Sequence, residues 1–307
     1  MKVLVTGVSG FLAPHVAAVA ASRGHSVVGT DSRPATTPSY LSEPPWEEFR
    51  LCRLDDPDSA AAAVEGMDAV CHLAGVGDVY LAFERPDAAA AANVTATAIL
   101  LEAARAEGVK KFVYASTWEV YGEPHYQPLD EKHPCEPDHP YNITKYAGER
   151  LALAFDRLKG LPGLALRLGT AYGRGMRPNS VFSIFIDRAR KGEPITISGD
   201  GRQGRQFTHA RDIGEAFRLA VESDLRGHAL NTVAGQMVTI RELAAAVAAR
   251  YPTDVTYGSP RPGDIAPASV DSSKAKRLLG WEASVPLAEG LAELLSERER
   301  GSSAGSQ

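Results

Sequence analysis

Short β-branched runs alternate with alanine-rich segments through the first two-thirds of the chain, and this alternation restricts the possible folds more than any other feature. The apolar runs are "KVLVTG", "HSVVGTD", "AVCHLAG" and "KKFVYAS", and the segments between them include "HVAAVAASRG" and "AAAAANVTATAILLEAARAEG". Apolar strands separated by helices predict a parallel sheet covered on both faces. Right-handed crossovers then favour an α/β fold built on a doubly wound parallel sheet of the Rossmann type.

The first strand leads into a glycine-containing turn, "VLVTGVSGFLA", with Gly7 and Gly10 before a predicted helix. Glycines at these positions allow a tight turn and a close approach to a pyrophosphate, which the helix N-terminus stabilises. Asp31 ends the second strand about twenty residues later, where a carboxylate accepts hydrogen bonds from a ribose diol and repels a 2′-phosphate. The pattern predicts a dinucleotide site that favours NAD over NADP, with Arg33 as the one opposing feature.

Tyr141 and Lys145 in "PYNITKYAGERL" lie four residues apart, so a helix would project both from one face. A tyrosine with an ordinary pKa of about 10 is too weakly acidic to act as a base at neutral pH. A nearby lysine ammonium and a positive nicotinamide ring would lower that pKa. We therefore expect Tyr141 to be a catalytic base supported by Lys145.

The order of these motifs resembles the extended short-chain dehydrogenases/reductases, in particular the NAD-dependent nucleotide-sugar epimerase/dehydratase family. The resemblance covers nearly the whole chain, and its motifs are "VTGVSGFLA", "HLAG", "NVTAT", "YASTWEVYG", "YNITK", "LRLGTAYGRG", "GDGRQGRQFTHARDI" and "RPGD". It implies a tightly held NAD and a nucleotide-diphosphate sugar in a smaller C-terminal lobe. It also implies a homodimer formed through the two helices of "AAAAANVTATAILLEAARAEG" and "YNITKYAGERLALAFDRL".

The resemblance further implies roles for single residues. Thr117 would share the sugar's 4-hydroxyl with Tyr141, Arg205 and Arg261 would bind the diphosphate, and Asp264 the nucleoside ribose. Paired arginines suit a diphosphate because their planar guanidinium groups bind its oxygens bidentately. The expected cofactor contacts are Gly7, Ser9, Gly10, Phe11, Leu12, Asp31, Ser32, Leu54, Leu73, Ala74, Gly75, Tyr141 and Lys145. The expected substrate contacts are Thr117, Trp118, Glu119, Thr170, Arg177, Arg205, Arg261 and Asp264. No metal site is predicted.

Three positions depart from the family pattern. Arg53 stands where the family usually has an acidic adenine contact, with Asp55 shifted along the chain. Ala82 replaces a small hydroxyl residue near the substrate, and Thr170 replaces the asparagine that commonly precedes the "YG" turn.

The choice of reaction depends on Glu119 and on the segment "LRLGTAYGRGMRPN". In its glutamate after the catalytic threonine the chain is similar to family dehydratases and decarboxylases. That glutamate can transfer a proton at carbon 5 of the sugar. Trp118, however, stands where dehydratases carry an acid. Thr170 and Arg177 match the threonine and arginine of UDP-glucuronate 4-epimerases and suit a sugar carboxylate. Glu119 beside that carboxylate would repel it unless protonated or bridged by water.

The sequence thus favours an NAD-dependent nucleotide-sugar 4-epimerase acting through a 4-keto sugar, with UDP-glucuronate as the best substrate. The alternative is a lyase on the same class of substrate, a UDP-glucuronate decarboxylase or sugar dehydratase that uses Glu119. A silent NAD-binding regulator is disfavoured by the intact Tyr141 and Lys145, and an NADPH-consuming 4-ketoreductase by Asp31.

Composition limits the partners and the compartment. The chain of 307 residues has a formal net charge of −5 and no long basic run, which argues against nucleic acid as the main partner. Its apolar runs are too short to span a bilayer, and no signal-peptide pattern precedes the first strand. The three cysteines, Cys52, Cys71 and Cys135, lack paired spacing. We expect a cytoplasmic protein with reduced thiols.

Regular alternation fades after about residue 172, which sets the expected domain limits. The NAD-binding domain would comprise residues 1–171 with 207–234. The nucleotide-sugar-binding lobe would comprise 172–206 with 235–300. Residues 301–307 lack apolar anchors and are expected to form a disordered tail.

Overall fold

The computed structural model describes residues 1–259 and 268–303, the side chains of 298–303 excepted. Its strands are β1 (Lys2–Thr6), β2 (Ser26–Asp31), β3 (Glu48–Leu51), β4 (Ala69–His72), β5 (Lys111–Thr117), β6 (Gly163–Leu168), β7 (Thr170–Tyr172), β8 (Ile195–Ser198), β9 (Gly204–Arg205), β10 (Phe207–His209), β11 (His228–Thr232), β12 (Val238–Thr239) and β13 (Val255–Gly258).

Its α-helices are α1 (Ala13–Ser22), α2 (Pro57–Val64), α3 (Val79–Glu84), α4 (Pro86–Ala90), α5 (Ala96–Glu107), α6 (Pro140–Lys159), α7 (Val181–Arg190), α8 (Ala210–Glu222), α9 (Ile240–Arg250), α10 (Ser273–Leu279) and α11 (Leu287–Ser303). A π-helical turn (Ala91–Thr95) joins α4 to α5, and a 3₁₀ turn (Trp118–Tyr121) follows β5.

Seven parallel strands form the central sheet, in the order β11-β6-β5-β4-β1-β2-β3. The chain moves outward from β1 to β3 and then returns to β4 on the other side of β1. The strand order therefore reverses between β1 and β4, and their carboxyl ends border the crevice where such sheets bind ligands. This arrangement confirms the predicted doubly wound α/β fold.

Alternate residues of β1 face opposite layers of helices. Val3 and Val5 belong to one hydrophobic cluster, which includes residues of α1 and α8, whereas Leu4 belongs to the cluster with residues of α2 and α5. Because both faces of the sheet are covered, its strands consist of nearly continuous apolar runs. Burial of each such side chain contributes about 1.5–3 kcal/mol to folding.

A separate hydrophobic cluster fills the C-terminal part of the chain. It contains Phe182 and Ile186 of α7, Ile197 of β8 and Leu243 of α9. Short two-stranded pairings accompany it: β10 with β7, β12 with β9 and β13 with β8. These elements place β7 and β9 next to the carboxyl end of the large sheet.

Part of the C-terminal region packs against the large sheet. Ala275 and Leu279 of α10, together with Trp281, pack in the cluster of the large sheet, where the Trp281 indole donates a hydrogen bond of 2.8 Å to the Asp212 carbonyl. Helix α11 is described as far as Ser303, and residues 304–307 of the expected tail lie outside the described residues.

Within the described parts of the chain, none of the helices has the length and apolar character required to cross a bilayer. The same residues contain no cluster of three or more His, Cys, Asp or Glu side chains that would hold a metal ion.

Candidate active site

The turn after β1 packs directly against the chain that leaves β4. Gly7 has a φ of +82°, and a Cβ there would lie 2.9 Å from the backbone nitrogen of Ala74. The Thr6 hydroxyl accepts hydrogen bonds from the amides of Leu73 and Ala74 at 3.0 and 2.9 Å. The Gly10 amide donates to the Gly7 carbonyl at 2.8 Å. Only glycine fits at position 7, because any side chain would push the two segments apart.

Helix α1 begins at this turn without a side-chain cap, since its N-cap residue is Leu12 and Pro14 lies in its first turn. The first amides of a helix need acceptors from outside the helix, and the helix dipole favours an anionic one. A pyrophosphate fits this end of α1. Phe11, beside Leu12, packs edge-to-face on His15 with ring centroids 5.8 Å apart.

Asp31 fixes the other side of the same crevice. Its Oδ2 accepts the Ser9 amide and its Oδ1 accepts the Arg33 amide, both at 3.0 Å, and the residue is buried. The Arg33 guanidinium, which is mostly exposed, approaches the carboxylate at 3.5 Å. The buried carboxylate beside the glycine turn fits a ribose diol, so these residues suit NAD.

The remaining expected cofactor residues lie around the same edge of the sheet. Ser32 is exposed, Leu54 is buried beyond β3, and Leu73 and Ala74 are half-buried after β4. Gly75 is exposed, and a Cβ there would lie 2.3 Å from Asn93 Oδ1. Arg53, which replaces the usual acid, forms an ion pair of 2.8 Å with Asp55. Each neutralises the other, so this pair offers an adenine neither a free anion nor a free cation.

The catalytic residues come from β5 and α6. Thr117 ends β5 as a buried residue, and its hydroxyl accepts the Glu119 amide at 3.2 Å. His139 caps α6 through a hydrogen bond of 3.3 Å from the Tyr141 amide to its Nδ1. Lys145 lies one turn further on, with its Nζ 4.5 Å from the centroid of the Tyr114 ring. The cation–π contact holds the Lys145 ammonium against the Tyr114 ring, and the cap fixes the start of α6, which carries Tyr141.

Without bound cofactor, the net effect of the protein's own groups is to raise the pKa of Tyr141. Burial raises it well above its ordinary value and the charge of Glu119 raises it further, while the Thr117 hydroxyl and the Arg177 charge lower it. Burial also lowers the pKa of Lys145 to about 7, against the opposing charge of Glu149. Lys145 is therefore a weaker source of positive charge than an exposed lysine. Activation of Tyr141 then needs the positive nicotinamide ring.

Glu119 lies in a setting that favours its neutral form. Burial raises its pKa to about 7, and the charge of Asp138 adds to this, whereas Arg205 opposes it. Its Oε2 is buried without a hydrogen-bond partner among the described residues. Around neutral pH the neutral and the charged forms of this carboxyl group are therefore close in free energy.

Three of the expected substrate residues meet in one cavity. Trp118, Thr170 and Arg205 line it, together with Gln206 and Val233. The Arg205 guanidinium donates to the Gly204 carbonyl at 2.8 Å. Tertiary structure thus brings the end of β5 next to β7 and β9 around a small cavity. Arg261 and Asp264 lie outside the described residues.

Arg177 lies apart from that cavity, on the exposed loop between β7 and α7. Its Nη1 forms an ion pair with Asp78, which caps α3. Its charge still reaches Tyr141, since it lowers the pKa of that hydroxyl. The expected receptor for a sugar carboxylate therefore already carries a carboxylate partner.

Sequence reasoning missed two groups near the site. Asp78 gave only the signal of a cap residue before the short helix "VYLAF". Glu149 lies eight residues after Tyr141, on the same helical face as Tyr141 and Lys145, and this spacing was the available signal. It forms a buried ion pair with Arg167 and accepts the Ser116 hydroxyl at 2.6 Å.

The sequence profile of the NAD dependent epimerase/dehydratase family matches residues 3–232. The chain belongs to this family. Members of the family use NAD, and the residues of the crevice at β1 and β4, with Asp31, fit it.

Similar proteins and solved structures agree with this membership. A putative UDP-glucose 4-epimerase of Methanocaldococcus jannaschii is 31% identical, with 96% of this chain and 97% of the relative covered. A UDP-glucuronate 4-epimerase of Thermodesulfobacterium geofontis is 32% identical, with 94% and 93% covered. The structure of MoeE5 in complex with UDP-glucuronic acid and NAD is 33% identical and has a TM-score of 0.88, with 98% of this chain and 100% of MoeE5 covered. Family relatives also include nucleotide-sugar dehydratases.

Proposed function

We propose that this enzyme is an NAD-dependent 4-epimerase of nucleotide sugars, with UDP-glucuronate as its substrate. The observation that carries the choice of a uronate is the position of Arg177, whose charge reaches the catalytic hydroxyl of Tyr141. A carboxylate on carbon 6 of a sugar whose 4-hydroxyl is bound at Tyr141 would lie within reach of that cation. A guanidinium binds carboxylates bidentately.

Glu119 is compatible with a uronate because burial raises its pKa to about 7. In its protonated form it donates a hydrogen bond to a neighbouring carboxylate instead of repelling it. The repulsion expected from sequence is therefore reduced at neutral pH and removed as the pH falls below about 7.

The similarity to known enzymes supports nucleotide sugars as the class of substrate. The identity of the sugar is part of our proposal. MoeE5 and the UDP-glucuronate 4-epimerase of Thermodesulfobacterium geofontis act on or bind a UDP-uronate by their descriptions. UDP-glucose 4-epimerases are about equally similar.

In this proposal Tyr141 removes the proton of the sugar's 4-hydroxyl and later returns it, while Thr117 hydrogen-bonds the same oxygen. Bound NAD supplies the hydride acceptor and donor at carbon 4. Arg177 holds the carboxylate near the plane of the transient 4-ketone, where loss of carbon dioxide is stereoelectronically disfavoured, and Thr170 contacts the sugar from the neighbouring cavity. Arg205 binds the diphosphate, and we retain Arg261 and Asp264 as diphosphate and ribose partners.

A lyase on the same substrates is the second candidate, and the pKa of Glu119 is the observation that favours it. A group with a pKa of about 7 is suited to transfer protons at neutral pH. Glu119 would then move a proton at carbon 5, in a UDP-glucuronate decarboxylase or a sugar dehydratase. Trp118, which carries no acid, argues against the dehydratase.

The test is to incubate the purified protein, without added cofactor, with UDP-glucuronate and with UDP-glucose, and to analyse the products by mass spectrometry and proton NMR. A 4-epimer of unchanged mass from UDP-glucuronate is the expected result. Loss of carbon dioxide would identify a decarboxylase, and turnover of UDP-glucose alone would reject the uronate. The Tyr141→Phe variant is the control for contaminating activity.

We also propose that the protein is a cytoplasmic homodimer that pairs through α5 and α6. Ile143 and Leu158 of α6 are 48% and 71% exposed, which leaves apolar surface on that helix for a second copy to cover. Light scattering on the wild type and on Leu158→Glu tests this, and a dimer unaffected by the charge would place the interface elsewhere.

A further inference from the structure

The two carboxylate oxygens of Asp78 have different partners. Oδ1 caps α3 by accepting the amides of Tyr80 and Leu81 at 2.9 and 3.2 Å. Oδ2 forms the ion pair with Arg177, which comes from a loop 99 residues further along the chain. The carboxylate thus joins the segment after β4 to the loop after β7.

The segment that carries Asp78 is fixed to the rest of the site. The Asn93 side chain accepts the Val76 amide at 2.8 Å and donates to the Val76 carbonyl at 3.0 Å. Phe83 of α3 stacks on His139 with ring centroids 5.8 Å apart, and His139 caps the helix that carries Tyr141. Asp78 therefore has a defined place relative to Tyr141, whereas Arg177 has a long side chain that is 55% exposed.

We infer that Asp78 determines specificity for the group on carbon 6 of the sugar, by competing with it for Arg177. This inference rests on the proposed function, because it concerns the same sugar site. A uronate carboxylate can form an ion pair with Arg177 only if it displaces the carboxylate of Asp78. One ion pair is therefore exchanged for another. A neutral hydroxymethyl group leaves the ion pair of Asp78 with Arg177 intact. Asp78 consequently weakens the preference for a uronate and keeps neutral hexoses acceptable.

The expected size of the effect follows from the exposure of the pair. Exposed ion pairs contribute little, so removal of the competing carboxylate should tighten uronate binding by about two- to five-fold. Binding of the neutral sugar should change by less than about two-fold, since its contacts do not include the charge of Asp78.

Asp78→Asn tests this with little structural change. Asparagine is as good an N-cap as aspartate, so the hydrogen bonds to Tyr80 and Leu81 are retained while the charge is removed. The dissociation constants of UDP-glucuronate and UDP-glucose are measured by calorimetry on the NAD-loaded enzyme. The matched control is Asp87→Asn, which removes a carboxylate from the exposed ion pair with Arg85 in the next helix. Asp78→Asn should raise the preference for UDP-glucuronate, and Asp87→Asn should not.

A double-mutant cycle with Arg177→Gln decides whether Asp78 acts through Arg177. Asp78→Asn should leave the preference unchanged when Arg177 is already glutamine. The same shift in both backgrounds, an unchanged preference in the single variant, or no UDP-glucuronate binding by Asp78→Asn would each overturn the inference. A wild type that prefers UDP-glucose would reject the proposed substrate, yet a shift toward UDP-glucuronate in Asp78→Asn would still support the role of Asp78.

Discussion

Glu149 forms a buried ion pair with Arg167 one helical turn beyond Lys145. The Glu149 Oε1 lies 2.6 Å from Nη2 of Arg167, and neither side chain is appreciably exposed. The Glu149 charge raises the pKa of Lys145 against the burial that lowers it to about 7. Glu149 thereby helps Lys145 to remain an ammonium group while it lies among apolar side chains.

We predict that Glu149→Gln shifts the pH dependence of turnover to lower pH. Without the carboxylate the pKa of Lys145 falls below about 7. Activity that needs the Lys145 ammonium group declines as pH rises through the pKa of Lys145. In the variant this decline therefore begins at a lower pH. The pH profile of kcat is the measurement, and Glu149→Asp, which retains the charge, should stay closer to the wild type.

The same substitution should also reduce stability, since it leaves the Arg167 charge buried without its partner. A loss of about 3 kcal/mol in the free energy of unfolding is expected in urea denaturation. A loss of stability with no shift in the pH profile would restrict Glu149 to a structural role.

Tyr141→Phe should abolish epimerisation and leave sugar binding nearly intact. The ring still packs at the start of α6, but the group that exchanges the 4-hydroxyl proton is gone. We expect kcat to fall by about a thousand-fold, with the dissociation constant of the nucleotide sugar changed by less than about three-fold. Full activity in this variant would show that another group is the base.

Glu119→Gln should change stability in a way that depends on pH. Burial raises the pKa of Glu119 from 4.5 to about 7 in the folded protein. The unfolded chain therefore releases this proton at lower pH than the folded protein, and the wild type loses stability as pH rises from 4.5 to about 7. The variant has no such group, so its advantage should grow over this interval to about 3 kcal/mol and stay level above it.

The same variant tests uronate binding. Wild-type affinity for UDP-glucuronate should fall as pH rises through about 7, because Glu119 then becomes an anion beside the sugar carboxylate. The affinity of Glu119→Gln should be flat over that range. A flat wild-type curve measured by calorimetry at pH 6 and pH 8 would place Glu119 away from the carboxylate.

Gly7→Ala should prevent NAD binding and lower stability, because its backbone is strained and its Cβ collides with neighbouring backbone. Gly66→Ala introduces the strain without the collision and so separates the two causes. Both glycines have positive φ, at +82° and +71°, but only a Cβ at position 7 would meet backbone atoms, those of Ala74 at 2.9 Å. Gly66→Ala should lose about 1 kcal/mol through strain alone and keep its NAD. Gly7→Ala should lose more, since the turn must move away from the end of β4. Urea denaturation and the NAD content of the purified proteins check this, and equal losses would reject the close contact.

The local features of the site were predictable because each depends on a short stretch of chain. The glycine turn at Gly7, the acid at Asp31 and the spacing of Tyr141 and Lys145 are set by turn geometry and by the 3.6-residue period of a helix. The alternation of apolar runs and alanine-rich segments determined the doubly wound sheet for a similar reason. A parallel sheet needs a helix between its strands, and that requirement is written along the chain.

Tertiary structure alone decided the electrostatics of the site. The ion pair of Asp78 with Arg177 joins segments 99 residues apart, and no local pattern reports such a contact. In the absence of the nicotinamide ring burial raises the pKa of Tyr141, and burial also raises the pKa of Glu119 to about 7. Desolvation depends on every atom packed around a group. The sequence by itself therefore determined the sheet, the glycine turn and the helix spacing of Tyr141 and Lys145, whereas only the folded chain determined the charges around them.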